Sequence, residues 1–264
     1  MNDQNMQYDS FHRLLELMAT LRGPQGCPWD RKQTPESLKP FLVEECYEVV
    51  DALEDGSPDK IRDELGDLLF QIIFHARIAE EAGQFTIHDV ITAIHEKMVR
   101  RHPHVFGKET VASDKEVIAH WEEIKQKEKG HADRKSILEG VPKELPSLLR
   151  AHRLQERAAR VGFDWAHLND ALPKLDEEID EFKQSLNSGD AGKVEEELGD
   201  VFFTLVNISR FLGVNPEDAL RKTISKFIQR FRYIEEHAAN AGLQLKDMTI
   251  DEMEKLWQEA KGSS

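Results

Sequence analysis

Two cysteines in 264 residues, Cys27 and Cys46, are too few for a disulfide framework. Neither has a partner at metal-ligand spacing, so both read as buried or spectator thiols of a cytoplasmic protein in a reducing compartment. No apolar run approaches the roughly 18 residues that a membrane-spanning helix needs. The first residues show no basic stretch followed by an apolar one, so no signal peptide is expected. Strand signals are scarce, with no alternating Val, Ile and Thr run bounded by turns and no Asn-Gly hairpin signal. Basic excess is also missing. The 35 Lys and Arg against 50 Asp and Glu give a net charge of −15, which repels nucleic acid outside a local basic patch. The one dense basic stretch, Lys97 to His104, is short enough to be local chemistry.

Helical signals are frequent. Phe11, Leu14, Leu15, Met18 and Leu21 share one helix face. Phe41, Leu42, Cys46, Val49, Val50 and Leu53 form a second stripe. Leu65, Leu68, Leu69, Ile72, Ile73 and Ala76 form a third, wide enough to be buried in a bundle. Thr86 with Asp89 resembles a capping box, and Asn215-Pro216-Glu217-Asp218 reads as an N-cap followed by a first turn. Gly83 and Gly242 read as helix stops, and Asp55 to Pro58 and Asn187 to Asp190 as turns between helices. The expected fold class is all-α, with four or five helices in each half of the chain.

The halves repeat each other. Glu45, Glu48, Glu64 and Asp67 are spaced by 3, 16 and 3, and so are Glu178, Glu181, Glu197 and Asp200. Pro28-Trp29-Asp30 precedes the first set and Phe163-Asp164-Trp165 the second. Lys97 and Arg101, then Trp121 and Lys125, follow the first; Lys226 and Arg230, then Trp257 and Lys261, follow the second. We expect two helical domains, 1–126 and 148–264, joined by a linker at 127–147 that carries Gly130, Gly140, Pro142 and Pro146.

Residues three apart on a helix share a face, so each acidic pair points one way. Glu181 lies 8 residues before Gly189 and Glu197 lies 8 after it. Folding at Gly189 brings both pairs to the same height above the turn, at about 1.5 Å of rise per residue. Four facing carboxylates repel and are costly to desolvate together, so a cation is expected among them. An all-oxygen set without His or Cys suits Mg²⁺, with Mn²⁺ as substitute, over zinc or iron. One acidic pair alone is commonly a solvated face. Here Leu198, Val201, Phe202 and Leu205 surround Glu197 and Asp200, which places the acids at the edge of a core stripe. Carboxylate-held Mg²⁺ commonly works on phosphates. Lys222, Lys226 and Arg230 step by four and offer cations on one face. Trp257 fits either the core or a base stack.

Glu-Glu-x-x-Glu followed by Glu-x-x-Asp in an all-helical chain resembles the MazG nucleoside triphosphate pyrophosphohydrolases. Gly26 to Asp30, Arg100 to Phe106 and Val161 to Trp165 match the tandem-domain members, and the resemblance covers the whole chain. It implies the all-α NTP pyrophosphatase bundle and a homodimer. It also implies hydrolysis of ribo- and deoxyribonucleoside triphosphates, with loose base choice, to monophosphate and pyrophosphate. By the same resemblance Glu178, Glu181, Glu197 and Asp200 would hold Mg²⁺, and the second domain would be the catalytic one. Lys174, Glu177, Lys193, Glu196, Asn207, Lys226, Arg230 and Trp257 would meet the nucleotide. The residues add a hint of their own. Asn207 lies seven after Asp200, and the matching position seven after Asp67 is Phe74, so a polar amide in one half is a ring in the other. The first set, Glu45, Glu48, Glu64 and Asp67, is expected to be a weaker, regulatory or structural metal site. A narrower dUTP or dCTP pyrophosphatase and a non-catalytic nucleotide-sensing module remain open. A ferritin-like di-metal oxidase is disfavoured because the Glu-x-x-His ligands are absent.

Overall fold

The computed structural model describes residues 3–111, 113, 116, 117, 120, 121, 124 and 136–262. Lys125 and linker residues 127–135 lie outside that range. Every regular element among the described residues is helical. The chain divides into two compact units, Met1–Ala132 and Asp133–Ser264. The first holds α1 (Asp3–Arg22), α2 (Pro28–Lys32), α3 (Pro35–Asp55), α4 (Pro58–Glu81), α5 (Ile87–Arg101) and α6 (Pro103–Phe106). The second holds α7 (Ser147–Arg160), α8 (Leu168–Leu186), α9 (Ala191–Phe211), α10 (Pro216–Asn240) and α11 (Ile250–Gly262), with a 3-10 turn at Leu245–Asp247.

Each unit is organised on one helical hairpin, α3–α4 and α8–α9, whose two arms make the most extensive helix contact in that unit. The turns are built alike. Gly56 and Gly189 take φ of 69° and 70°, which L side chains adopt only with strain. Proline enters both first arms at matching places, Pro40 and Pro173. The expected caps form. Thr86 and Asp89 bond reciprocally at the start of α5, and the Asn215 side chain accepts from the amides of Glu217 and Asp218 at the start of α10. Gly83 and Gly242 follow their helices at positive φ.

The core of the first unit is a cluster of Met18, Leu38, Ile73 and Phe74, each at most 2% exposed. Burying side chains of this size contributes about 1.5–3 kcal/mol apiece. Arg22 ties α1 to α4. Its guanidinium donates from Nε and Nη2 to both Glu81 oxygens at 2.7–3.1 Å and lies 5.4 Å from the Phe74 ring centre. In the second unit, Ala171, Val206, Ile234, Ala238 and Ala260 are buried. Residues 136–147, from the stretch read as linker, are tied into this unit: Arg157 of α7 donates to the carbonyls of Ile137, Glu139 and Gly140, and Val141 is buried.

Two apolar stripes differ from expectation. Leu65, Leu69 and Ile72 of α4 are 37–49% exposed, while Ile73 and Ala76 beside them are buried. Leu198, Phe202 and Leu205 of α9 are 38–51% exposed, and its buried residues are Thr204 and Val206. Each hairpin spends one face on its own unit and leaves the other apolar face open.

Candidate functional site

The α8–α9 hairpin brings Glu178, Glu197 and Asp200 together, with one carboxylate oxygen from each within 4.8 Å of the others. Glu178 comes from α8 and is buried; Glu197 and Asp200 come from successive turns of α9. Their facing follows from equal arm lengths about Gly189. Glu181 is exposed beside them. Loss of hydration and the charges of Glu197 and Glu178 push its carboxyl up. The first unit repeats the arrangement with a different trio, Glu45, Glu48 and Glu64. There, partial burial and the charges of Asp67 and Glu48 push Glu45 up, opposed by a hydrogen bond from Gln71. The four positions foreseen in each half thus supply a tight trio and a nearby fourth member.

Lys174, one turn before Glu178, lays its ammonium against the acids, 2.7 Å from Glu177 and 2.9 Å from Glu178. These two carboxylates push the Lys174 ammonium up, so it stays charged. It offsets part of the charge on Glu178, the most buried acid of the trio. The donor set fits a hard divalent cation. It is all oxygen, spans both arms, keeps two members accessible and has an internal cation meeting only part of its charge.

Lys193 and Glu196 are exposed on the first turns of α9, and Lys226 is exposed on α10. No ion pair among the described residues joins these lysines to the trio. Arg230 lies 5.4 Å from the ring centre of Trp257, which is half-buried and packs 5.4 Å from Phe227. The first unit has the same pair, Arg101 at 4.7 Å from the Trp121 ring centre, so this arginine–tryptophan contact belongs to the repeat.

Asn207 lines a cavity of about 600 Å³ with Gln155, Thr204, Asp164, Trp165 and Phe203. Thr204 and Asn207 follow Asp200 by one and two turns of α9, which puts them on the same face of that helix as Asp200. Asp164 at its edge is held by Arg210. The corresponding region of the first unit is filled: Phe74 takes the matching position, and Met18 of α1 packs on it. Gln155 was not singled out from the sequence. Its signal was a lone amide within the apolar face of α7 that carries Leu154 and Ala158.

The MazG nucleotide pyrophosphohydrolase domain matches the chain twice, at residues 33–106 and 167–234. The chain is 47% identical over 252 residues to the nucleoside triphosphate pyrophosphohydrolase/pyrophosphatase MazG of Thermotoga maritima, covering 96% of both chains. It is 44% identical to the nucleoside triphosphate pyrophosphohydrolase of Escherichia coli K12, covering 94% of this chain and 96% of that one. It is also 46% identical to the protein YabN of Bacillus subtilis, covering 98% of this chain and 53% of that one. Both matched segments contain a helical hairpin and its acidic trio, and the chain belongs to the MazG nucleotide pyrophosphohydrolase family.

Proposed function

We propose that the chain hydrolyses nucleoside triphosphates, ribo and deoxyribo with a broad base range, to the monophosphate and pyrophosphate, with the chemistry at the α8–α9 hairpin. The observation that carries this reading is the oxygen-only trio Glu178, Glu197 and Asp200 held across two rigid helix arms, in a chain of this family. With Glu181 these residues would hold Mg²⁺, or Mn²⁺ in its place. Bound there, the ion would supply Lewis-acid charge to the triphosphate oxygens and acidify water. Glu177 or Glu178 would orient the water that attacks the α-phosphorus in line, and the bond from that phosphorus to the bridging oxygen breaks, releasing pyrophosphate. Lys174, paired with Glu177 and Glu178, would supply positive charge near the phosphates. Lys193, Lys226 and Arg230 would contact the rest of the phosphate chain, and Glu196 and Trp257 the nucleoside end.

A homodimer accounts for the open apolar faces. On α10, Leu220, Ile224, Phe227, Ile228 and Phe231 recur at helical spacing and are 36–56% exposed. A second copy would cover this stripe and that of Leu198, Phe202 and Leu205. Light scattering tests it, and a monomer at micromolar concentration contradicts it. No helix among the described residues is long and apolar enough to cross a membrane. The net charge of −15 disfavours nucleic acid as a partner.

Product analysis with ATP and dNTPs in Mg²⁺ tests the reaction. Pyrophosphate and monophosphate are expected, with a loss of at least about 10²-fold in Glu197→Ala and a small loss in Glu64→Ala. ADP and phosphate as first products overturn the scheme. Equal losses in the two variants overturn the assignment to the second unit. Nucleotide binding without release would identify a sensing module instead.

A further inference from the structure

The two trios differ in what meets their first glutamate. Glu178 is met by Lys174, an ammonium four residues earlier on α8. The matching position before Glu45 is Phe41, whose ring packs edge-on against Trp29 at 5.9 Å. No ion pair among the described residues reaches Glu45, Glu48 or Glu64; Lys60, whose charge Glu64 feels, is paired with Asp55. Glu45 is met instead by Gln71 of the opposite arm, which hydrogen-bonds its carboxylate. The second unit has Thr204 at that place, four after the last acid, with no amide to offer.

Gln71 is 8% exposed, and its Oε1 is buried without a hydrogen-bond partner. Both polar atoms of the amide share one carbon, so the unmet oxygen lies beside the carboxylate that the nitrogen touches. A buried acceptor without a donor is costly. The acids cannot supply that donor, because ionised carboxylates only accept. They crowd one another as well: Glu45 lies within hydrogen-bonding reach of Glu48, and the charge of Asp67 adds to theirs. A cation satisfies the amide oxygen and the carboxylates together. We propose that Glu45, Glu48 and Glu64, with Gln71 Oε1 as a neutral fourth ligand, form a site for a hard divalent cation that is bound without nucleotide. Mg²⁺ usually relies on one or two carboxylates plus substrate phosphates, whereas Ca²⁺ is commonly held by carboxylates and amide carbonyls of the protein. The first site therefore takes Ca²⁺ ahead of Mg²⁺. Its ligands come from both α3 and α4, so the ion fastens that hairpin. The ammonium of Lys174 opposes a bare cation at the second trio and suits one that arrives with triphosphate. The inference goes beyond the triphosphate reading and does not depend on turnover.

The test follows Mn²⁺ binding to the full chain by electron paramagnetic resonance, without nucleotide. One class of bound Mn²⁺ is expected to survive Glu197→Gln and to disappear in Glu64→Gln. Gln71→Leu is expected to weaken that class by roughly tenfold or more. Gln71→Glu, which returns an oxygen to the position, is expected to recover it, and recovery separates loss of a ligand from loss of the fold. Should Gln71→Leu fail to fold, Gln71→Thr, which copies the second unit, is read on the same terms. Ca²⁺ should displace this Mn²⁺ at a lower concentration than Mg²⁺ does. A non-hydrolysable triphosphate, at constant free Mn²⁺, should leave the affinity of this class unchanged. The proposal is overturned if no class depends on Glu64, if the class is as tight in Gln71→Leu as in the parent, or if triphosphate tightens it. Mg²⁺ displacing Mn²⁺ as readily as Ca²⁺ overturns the preference for Ca²⁺. Absence of pyrophosphate release would sink the triphosphate reading and leave these binding classes as they are, so the two fail separately.

Discussion

Replacing Glu197 with Gln removes one charge from the trio and nearly preserves its shape. Glu178 and Glu197 present oxygens within 4.8 Å of each other. Two unit charges at that distance repel by about 3.5 kcal/mol at an effective dielectric constant near 20. The Lys174 ammonium, 2.9 Å from Glu178, offsets part of this, and solvent around the exposed Asp200 screens more. Roughly 1 kcal/mol of net repulsion remains. In chelator, Glu197→Gln is therefore expected to be more stable than the parent, by about 3–5 °C in the Tm of a unit this size. Saturating Mg²⁺ reverses the order. A cation at 100 times its Kd stabilises the parent by about 2.7 kcal/mol, while the variant gains little. The assay is calorimetric unfolding of both proteins with chelator and with Mg²⁺, following the transition that moves with the metal. A Glu197→Gln protein less stable than the parent in chelator would refute the repulsion argument. Equal stabilisation of both by Mg²⁺ would refute the metal assignment.

Glu81→Gln leaves the Arg22 guanidinium, whose side chain is only 7% exposed, without its charge partner. Glu81 itself is 32% exposed, so the expected loss in urea unfolding is about 2 kcal/mol, between the values for exposed and buried pairs. The Arg22 hydrogen bond, helped by Arg77, holds the Glu81 carboxyl below its ordinary value of 4.5. That stability is present above the ordinary value and is lost as pH falls through the folded one. The gap between parent and Glu81→Gln should accordingly close in acid; a gap that is constant with pH contradicts the ion pair as its source. Phe74→Ala empties a site that is 2% exposed and should cost about 3–5 kcal/mol by chemical denaturation. A loss under about 1 kcal/mol would show that the first unit's core is not closed around this ring.

Much of the fold is legible because its signals are local. The capping residues Thr86, Asp89 and Asn215 act on amides two or three residues away, and Gly56 and Gly189 act through their own φ. The acidic trio is legible for a related reason. Two i, i+3 pairs at equal distances from one turn can only face each other once the hairpin closes. The apolar stripes are less so. Leu65, Leu69 and Ile72 carry the same periodicity as Ile73 and Ala76, yet only the latter are buried. Periodicity marks a face as apolar without saying which neighbour covers it.

The sequence by itself determined the helices, the duplication, the two hairpins and the eight acids, since each depends on spacing along one or two adjacent helices. Tertiary structure alone decided which three acids of each four close to within 4.8 Å. It also decided that the second unit keeps a cavity at Asn207 where the first is filled by Phe74 and Met18. These outcomes depend on how α1 and α7 dock across their hairpins, which brings together residues some 50 positions apart, such as Gln155 and Phe203. No local period encodes such a contact, because it is set by the packing of whole helices.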